Sequence, residues 1–575
     1  MERPRGGIRI NYFTKIEDLL VSQLPNLKLC IKGAIPVKTF LEPLKELKEF
    51  NHIRDNITLK NTPVHVSGCI DSQKCHLISG LSEGYRNKVI ITYNELKAKE
   101  IYEDYKLYDK NVFLYPAKDI IFYSADIHGN AITKDRLTII KRLILKQPAT
   151  IITTLDGGMD KLLPIELIEK SVVTVKVGKN IDLEKMKEKL VNLGYEREGQ
   201  VDGPGEFAIR GGIIDIFPLT EDTPYRIELW DDEIDTIRSF DISSQRSIEN
   251  VESITIYPAT EVILEDDTLT DGLKKIEKEK SQYEKTLRDE KKTEEAHRIH
   301  EIIGEFKENI GAFGGLTGVE SYIRYFYDNT VSLFDYFDDE DTCFFLDEPG
   351  RLMERGEAIE TEFRESMIGR MEKGYILPGQ ADSIYSFKEI LGKLNLKKTV
   401  LLSTMDYKTT QMSVKSRFTL TTKSINPYNN NFEVLVKDLT RWKAKGYRVI
   451  LLSSSRTRAV RLSEDLREYE LNAFYGENLE RILQPGEIMV AAGSLHRGFE
   501  YPLIKLVIIS ESDIFSGEKK KKKKRTIYEG KKIQSFNDLN MGDYVVHENH
   551  GLGIYRGIEK IEVDKVAKDY IKIEY

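Results

Sequence analysis

The stretch GPGEFAIRGGIIDIFP, from Gly203 to Pro218, decides the fold of its surroundings. Its four glycines supply backbone freedom that residues with a Cβ lack, and Pro204 fixes a turn between the first two of them. Residues 206–210 alternate apolar and polar side chains, and the mostly apolar run 213–217 ends at Pro218. The pattern predicts a tight pair of strands.

The segment that follows extends this sheet. Tyr225 to Phe240 (YRIELWDDEIDTIRSF) alternates again and carries an Asp231-Asp232 turn between β-forming residues. We therefore predict a compact antiparallel subdomain. On spacing alone, a purely structural sheet is the simpler interpretation of this pattern.

The motif RGGIIDIFP, followed by YRIELWDDEIDTIRSFD, resembles a bacterial family that includes UvrB-type repair helicases and transcription-repair coupling factors. The resemblance continues through residues 245–259. In both kinds of protein the motif marks a small domain that docks on the damage-recognition ATPase UvrA. It implies that residues 165–258 bind UvrA through Arg197, Glu206, Phe207, Arg210 and Phe217. The residue pattern leaves open that the two phenylalanines are core residues and that only the arginines are exposed.

Length and composition limit the class of protein. The 575 residues are more than one hydrophobic core can serve, so several domains are expected. The formal charge of -8 argues against a chain that wraps nucleic acid by bulk electrostatics. The four cysteines lack the spacing of a disulfide scaffold or a zinc site, which indicates a reducing compartment. Because no membrane helix or signal peptide is visible, we expect a cytosolic protein without a membrane partner.

A short strand, VHV, leads into SGCIDSQKC and then into a helix, which is the arrangement of a phosphate-binding P-loop, G-x-x-x-x-G-K-[ST]. Gly68 and Lys74 fit the spacing. Gln73 replaces the second glycine, and Cys75 replaces the hydroxyl group with sulfur, a poor ligand for Mg²⁺. We expect that this loop does not hold Mg-nucleotide in the usual way. UvrB-type helicases keep an intact loop here and coupling factors have lost it, so the resemblance favours the coupling factors.

Asp347 and Glu348 end a second apolar strand, CFFLDEP, in the manner of a Walker B site. Because they face a disabled loop, we interpret them as a relic that caps the strand and not as a catalytic pair. The two segments define a degenerate nucleotide site, and no catalytic residue, metal or cofactor is expected in this chain. ATP and Mg²⁺ are implied only for a translocase module that the resemblance places beyond Tyr575.

Strands that alternate with amphipathic helices predict a multidomain α/β protein, in which a parallel sheet is interrupted by the small antiparallel domain. The predicted order is a leader with N-terminal helices (1–60), the first part of a UvrB-like α/β domain (61–164), the UvrA-binding domain (165–258), the second part of the α/β domain with a long charged helix (259–398), a third α/β domain without evident chemistry (399–516), a Lys-rich linker (517–536) and an incomplete RNA-polymerase-interacting domain (537–575).

Six consecutive lysines at 519–524 repel one another, which favours an open linker. A contact between these lysines and DNA phosphates at low salt is the open alternative. After the linker, period-two strands with glycines at the turns predict a small, truncated β-barrel. His547 and His550 lack Cys or Asp partners at ligand spacing, so we interpret them as turn residues and not as metal ligands.

The segment GDYVVHENHGLGIYRGI resembles the RNA-polymerase-interacting domain of coupling factors and of CarD-type regulators. This resemblance implies a contact with the polymerase β subunit. The alternation in the last strand suits an edge that adds to a partner's sheet. The residues that we assign to this contact are Tyr570, Ile571, Lys572 and Ile573.

The sequence therefore indicates the N-terminal portion of a coupling factor, a monomer that recruits UvrA and begins the polymerase contact. The full protein is implied to displace stalled polymerase by ATP-driven DNA translocation, with DNA bound mainly by the module beyond this chain. The alternative is a UvrB-like ATP-dependent repair helicase, and the state of the P-loop distinguishes the two. A free CarD-type transcription regulator explains only the last segment.

Overall fold

The computed structural model describes residues 37–118, 129–313, 318–408, 410–515, 544–547, 551–563 and 566–574. Most of the predicted leader and the whole Lys-rich linker lie outside these residues. The chain divides into two compact units, of which the first ends at Ile514 and the second begins at Phe515. Within the described residues, no helix combines the length and the apolar character that crossing a membrane requires.

Most of the first unit's regular structure consists of α-helices and short strands. The strands, in chain order, are β1 (Val64–Ser67), β2 (Asn87–Thr92), β3 (Val112–Tyr115), β4 (Ala149–Thr154), β5 (Val173–Lys176), β6 (Glu196–Arg197), β7 (Glu206–Arg210), β8 (Ile213–Ile216), β9 (Tyr225–Trp230), β10 (Glu233–Phe240), β11 (Ser247–Asn250), β12 (Ser253–Ile256), β13 (Thr342–Asp347), β14 (Thr399–Leu402), β15 (Ser416–Thr419), β16 (Lys423–Ser424), β17 (Arg448–Ser453), β18 (Ala473–Tyr475), β19 (Ile488–Ala492), β20 (Phe499–Tyr501) and β21 (Leu506–Ile509). The helices are α1 (Lys38–Leu41), α2 (Lys48–Thr58), α3 (Gln73–Leu81), α4 (Glu95–Tyr105), α5 (Gly129–Ile144), α6 (Ile165–Ser171), α7 (Leu183–Asn192), α8 (Asp266–Asp289), α9 (Thr293–Phe313), α10 (Ile323–Phe326), α11 (Pro349–Glu372), α12 (Phe387–Leu396), α13 (Phe432–Ala444), α14 (Arg456–Glu468) and α15 (Glu511–Ile514).

The largest sheet has seven parallel strands in the order β15-β1-β14-β13-β2-β4-β3. Its central strands are buried along their length, as a sheet covered on both faces requires. The predicted parallel α/β architecture is confirmed. The predicted start of the third domain at residue 399 falls inside this sheet, since β1 pairs with both β14 and β15. We correct that boundary to a position after Thr419, because hydrogen-bonded partners and not chain order decide which sheet a strand joins.

The small domain is a six-stranded sheet in the order β11-β10-β9-β8-β7-β6. Its neighbouring strands are antiparallel, apart from the parallel pair of β6 and β7. Asp231, with a φ of 60°, lies in the turn between β9 and β10. The predicted antiparallel subdomain and its Asp231-Asp232 turn are both confirmed.

The predicted long charged helix is wrong in one respect, because the segment forms two helices, α8 and α9. The chain reverses at Lys291, whose φ is 64°. A hydrogen bond between His300 and Glu284 and an ion pair between Lys307 and Glu277 show that the helices run antiparallel. Their inner faces are buried in the core of the first sheet, so burial of apolar residues, and not only charge pairing, holds them in place.

A second six-stranded sheet follows, in the order β16-β20-β21-β17-β19-β18. β17, β18, β19 and β21 are parallel, whereas β16 and β20 pair antiparallel with their neighbours. The prediction of a further α/β region after the first sheet is confirmed by this sheet and its helices. One of its faces contributes to the same hydrophobic core as β1 and α3, so the two sheets are packed together.

The second unit contains an antiparallel sheet of β22 (Tyr544–His547), β23 (Gly551–Val563) and β24 (Val566–Glu574). In the ladder, Tyr570 faces Glu559 and Ile571 faces Ile558. Among the described residues, β24 is an edge strand. The predicted closure of these strands into a barrel stays a prediction.

Candidate functional site

The charged residues of the predicted degenerate nucleotide site lie together in the structure. The Nζ atom of Lys74, at the start of α3, lies 2.6 Å from Asp347 Oδ1 and 2.6 Å from Glu348 Oε1. Asp347 is 2% exposed and also accepts a hydrogen bond from the Thr92 hydroxyl. Burial alone would lower the pKa of Lys74, but the two carboxylates raise it above its usual value. The ammonium group that would neutralise a nucleotide's phosphates is therefore held by protein carboxylates.

Glu348 reaches Lys74 from an unusual backbone conformation. Its φ is 51°, which is uncommon for a residue with a side chain, and it directly precedes α11. The same carboxylate oxygen accepts hydrogen bonds from the backbone N–H and the hydroxyl group of Thr404. Asp347 and Glu348 thus bond to Lys74, and Glu348 also bonds to the segment that follows β14. Their interpretation as a structural relic stays a prediction.

The backbone of the loop is hydrogen-bonded to the protein itself. The N–H groups of Gly68 and Cys69 donate to the carbonyl groups of Thr404 and Ser403 at 3.3 and 3.0 Å. In a working P-loop, such N–H groups surround the phosphates. A Cβ atom at Gly68 would lie 2.1 Å from the Leu420 carbonyl oxygen, so the chain beyond β15 passes directly against the loop. The start of the loop is therefore closed by the protein's own chain.

Gln73 and Cys75, the two residues that depart from the P-loop pattern, contact other parts of the protein. Gln73 Oε1 accepts a hydrogen bond from the Ile70 N–H group at 3.0 Å, so the side chain occupies the inside of the loop. Cys75 Sγ lies 3.9 Å from the Ile101 carbonyl oxygen and is fully buried against α4. Burial raises the pKa of the Cys75 thiol well above its usual value, so the thiolate that binds metals is disfavoured. Both side chains are therefore buried within the protein.

The predicted docking residues divide into buried and exposed ones. Phe207 is 0% exposed, in the core on the inner face of the small sheet. Phe217 is 5% exposed, because Val201 and Phe240 cover it on the outer face. Glu206 accepts hydrogen bonds from the N–H groups that precede it and holds the turn before β7. Packing has buried both phenylalanines, which agrees with the alternative that they are core residues.

The predicted arginines remain accessible. Arg197 is exposed on β6, and Arg210 is exposed at the end of β7. Arg210 Nη2 lies 2.5 Å from Asp215 Oδ2, and Arg226 Nε lies 2.7 Å from Asp215 Oδ1. Asp215 is buried and so orients both guanidinium groups across the outer face of the sheet.

Trp230 was missed by the sequence analysis. It ends β9 and is 81% exposed, which is rare for so large an apolar side chain. Ile213 pairs with Arg210 on one side and with Glu228 on the other, and Trp230 is two residues beyond Glu228. The period of two therefore places Trp230 on the same face as Arg210. The exposure of Trp230 could have been predicted from the period of two along β9, because this period places Ile227 on the inner face and Trp230 on the outer face.

We name Arg210 and Trp230, which share the outer face, the docking surface. Arg197 pairs with Phe207 in the register of β6 and β7 and therefore lies on the other face. Residues 173–262, which contain it, match the family model of the UvrB interaction domain. Residues 539–575, which contain β22 to β24, match the family model of the CarD-like/TRCF RID domain.

Comparison with curated proteins extends the match over most of the chain. Over 531 residues the chain is 33% identical to the transcription-repair-coupling factor of Bacillus subtilis, an alignment that covers 89% of this chain and 44% of that relative. The chain is similar to the N-terminal portion of transcription-repair-coupling factors. The coupling factors of Staphylococcus epidermidis and Staphylococcus haemolyticus are 32% and 31% identical to it and are covered over 43% and 44% of their length. The chain thus spans less than half the length of these coupling factors.

Proposed function

We propose that this chain is the recruitment part of a transcription-repair-coupling factor and that its docking surface binds UvrA. The observation that carries the proposal is an exposed tryptophan and an exposed arginine on the same face of one sheet, within the segment that matches the UvrB interaction domain. Trp and Arg are the residue types that contribute most to protein interfaces. The same factor contacts RNA polymerase through its C-terminal sheet and works in the cytosol as a monomer, with DNA bound mainly by other parts of the protein.

The alternative function is a UvrB-like ATP-dependent helicase, and the closed loop argues against it. We expect no ATP hydrolysis by the 575-residue chain, because Lys74 is held by two carboxylates and the N–H groups of Gly68, Cys69 and Ile70 have protein partners. The measurement is phosphate release from ATP and Mg²⁺, with and without DNA. DNA-stimulated release that Lys74→Ala abolishes would contradict the proposal and favour the helicase.

The polymerase contact is proposed for the open edge of β24, which would pair with a strand of the β subunit. Replacing Ile573 by proline removes a backbone donor, so we expect the affinity for the β subunit to fall about tenfold or more. Ile573→Thr is the matched control, because it keeps the N–H group and the β-branched shape. Pull-down titrations of the full chain with the β subunit measure both, and equal affinities would place the contact elsewhere.

A further inference from the structure

The second six-stranded sheet is covered by its own helices on one face only. Along β17, Val449 and Leu451 pack with α13 and α14, whereas Ile450 and Leu452 point to the opposite face and into the core that contains α3. A buried sheet of parallel strands needs helices on both faces. The helix that follows the degenerate loop therefore belongs to the packing of both sheets.

A chain of buried hydrogen bonds joins α3 to this sheet. Gln73 Nε2 donates to the Tyr501 hydroxyl at 2.6 Å, and that hydroxyl lies 3.2 Å from His76 Nδ1. His76 Nε2 lies 2.8 Å from the Phe40 carbonyl oxygen. Because a carbonyl group only accepts, Nε2 carries the proton and Tyr501 donates to Nδ1. Every group in this chain of bonds has a partner, and Phe40 connects it to α1.

The same glutamine also holds the loop. Its Oε1 atom accepts the N–H group of Ile70, so one side chain bonds to the loop backbone at one end and to the second sheet at the other. A further bond runs from the backbone N–H group of Arg497 to the hydroxyl group of Ser72, at 3.0 Å. The glutamine stands where a P-loop has a glycine, which could make neither side-chain contact.

We propose that the degenerate loop and α3 form an interdomain clamp. Gln73 and His76 bind Tyr501 of the second sheet, and the second sheet in turn keeps the loop closed. Residues 420–515 thereby have a role, which is to fix the former nucleotide site in one conformation, so that the two sheets move as one body. This inference does not depend on the binding of UvrA.

The test is hydrogen exchange measured by mass spectrometry on the full chain with Tyr501→Phe. This change lies in the second sheet, yet the clamp predicts about tenfold faster exchange at residues 68–78, in the loop and the start of α3, because Gln73 Nε2 and His76 Nδ1 lose their partner. Gln73→Met is a second variant of similar volume, and it is expected to speed exchange at 495–503. The matched control is Tyr447→Phe, since the Tyr447 hydroxyl bonds to Glu500 within the second sheet. Unchanged exchange at 68–78 in Tyr501→Phe, or at 495–503 in Gln73→Met, would overturn the clamp.

A second experiment restores the P-loop residues at both replaced positions, as Gln73→Gly with Cys75→Ser in the full chain. The probe is a fluorescent ATP analogue with Mg²⁺. We expect no saturable binding, because Lys74 and the N–H groups of Gly68 and Cys69 keep their protein partners, together with faster exchange at 495–503. Saturable binding of the analogue would show that Lys74 and these N–H groups do not keep the loop closed, and unchanged exchange at 495–503 would overturn the clamp.

Discussion

Replacing Lys74 by methionine is expected to lower the free energy of unfolding by about 3 kcal/mol or more. The variant leaves Asp347 and Glu348 beside each other without the ammonium group that contacts both. Because Asp347 is almost completely buried, water cannot replace the lost partner. Urea denaturation of the full chain at neutral pH measures the change.

The difference in the free energy of unfolding between Lys74→Met and the unmodified chain should decrease at acidic pH. Burial by itself raises the pKa of Glu348, but the Lys74 ammonium and the hydrogen bonds from Lys74 and Thr404 hold it below the usual 4.5. In the unmodified chain this stabilisation is present above the unfolded pKa and is lost as the pH falls through the lower folded pKa. Without Lys74, Glu348 takes up its proton at higher pH. The two stability curves should therefore converge as the solution becomes acidic.

The control for this prediction is Lys274→Met. Lys274 pairs with Asp271 at 2.9 Å, but both side chains are exposed on α8. The free energy of unfolding should therefore fall by no more than about 0.5 kcal/mol. If Lys74→Met and Lys274→Met lower the free energy of unfolding equally, the contacts of Lys74 with Asp347 and Glu348 do not stabilise the fold.

Trp230→Ala is expected to weaken UvrA binding by about thirtyfold or more, which corresponds to about 2 kcal/mol. An indole ring that projects into water provides a large apolar contact to a partner and loses little conformational freedom on binding. Arg210→Glu should weaken binding to a similar extent, because it removes a charge-assisted donor and reverses the charge at the same face. Titration of purified UvrA with the full chain gives both values of Kd.

Leu396→Ala is the matched control for the docking surface. Leu396 is 86% exposed at the end of α12, outside the small sheet, so its loss should leave the affinity for UvrA unchanged. Thermal unfolding of Trp230→Ala should also be unchanged within error, since the ring is not part of a core. Unchanged Kd values for both Trp230→Ala and Arg210→Glu would show that UvrA binds elsewhere on the chain.

Phe217 and Trp230 show why the sequence identified the docking domain but not its surface. Both side chains belong to the outer face of the small sheet, and the period of two predicts this for each of them. Phe217 is nevertheless buried by Val201 and Phe240, whereas nothing in the described residues covers Trp230 to that extent. Burial depends on contacts with residues outside the strand, and a periodic pattern carries no information about them.

The sequence by itself determined the local structure of this protein, that is, the strand and helix periods, the Asp231-Asp232 turn and the two substitutions in the P-loop, because these depend on neighbouring residues. Only the tertiary structure decided that β14 and β15 complete the first sheet, and that Gln73 bonds to Tyr501. In these cases the partners are far apart in the chain. Their pairing follows from the joint packing of two sheets and from the need to satisfy every buried polar group, and neither can be inferred from local sequence.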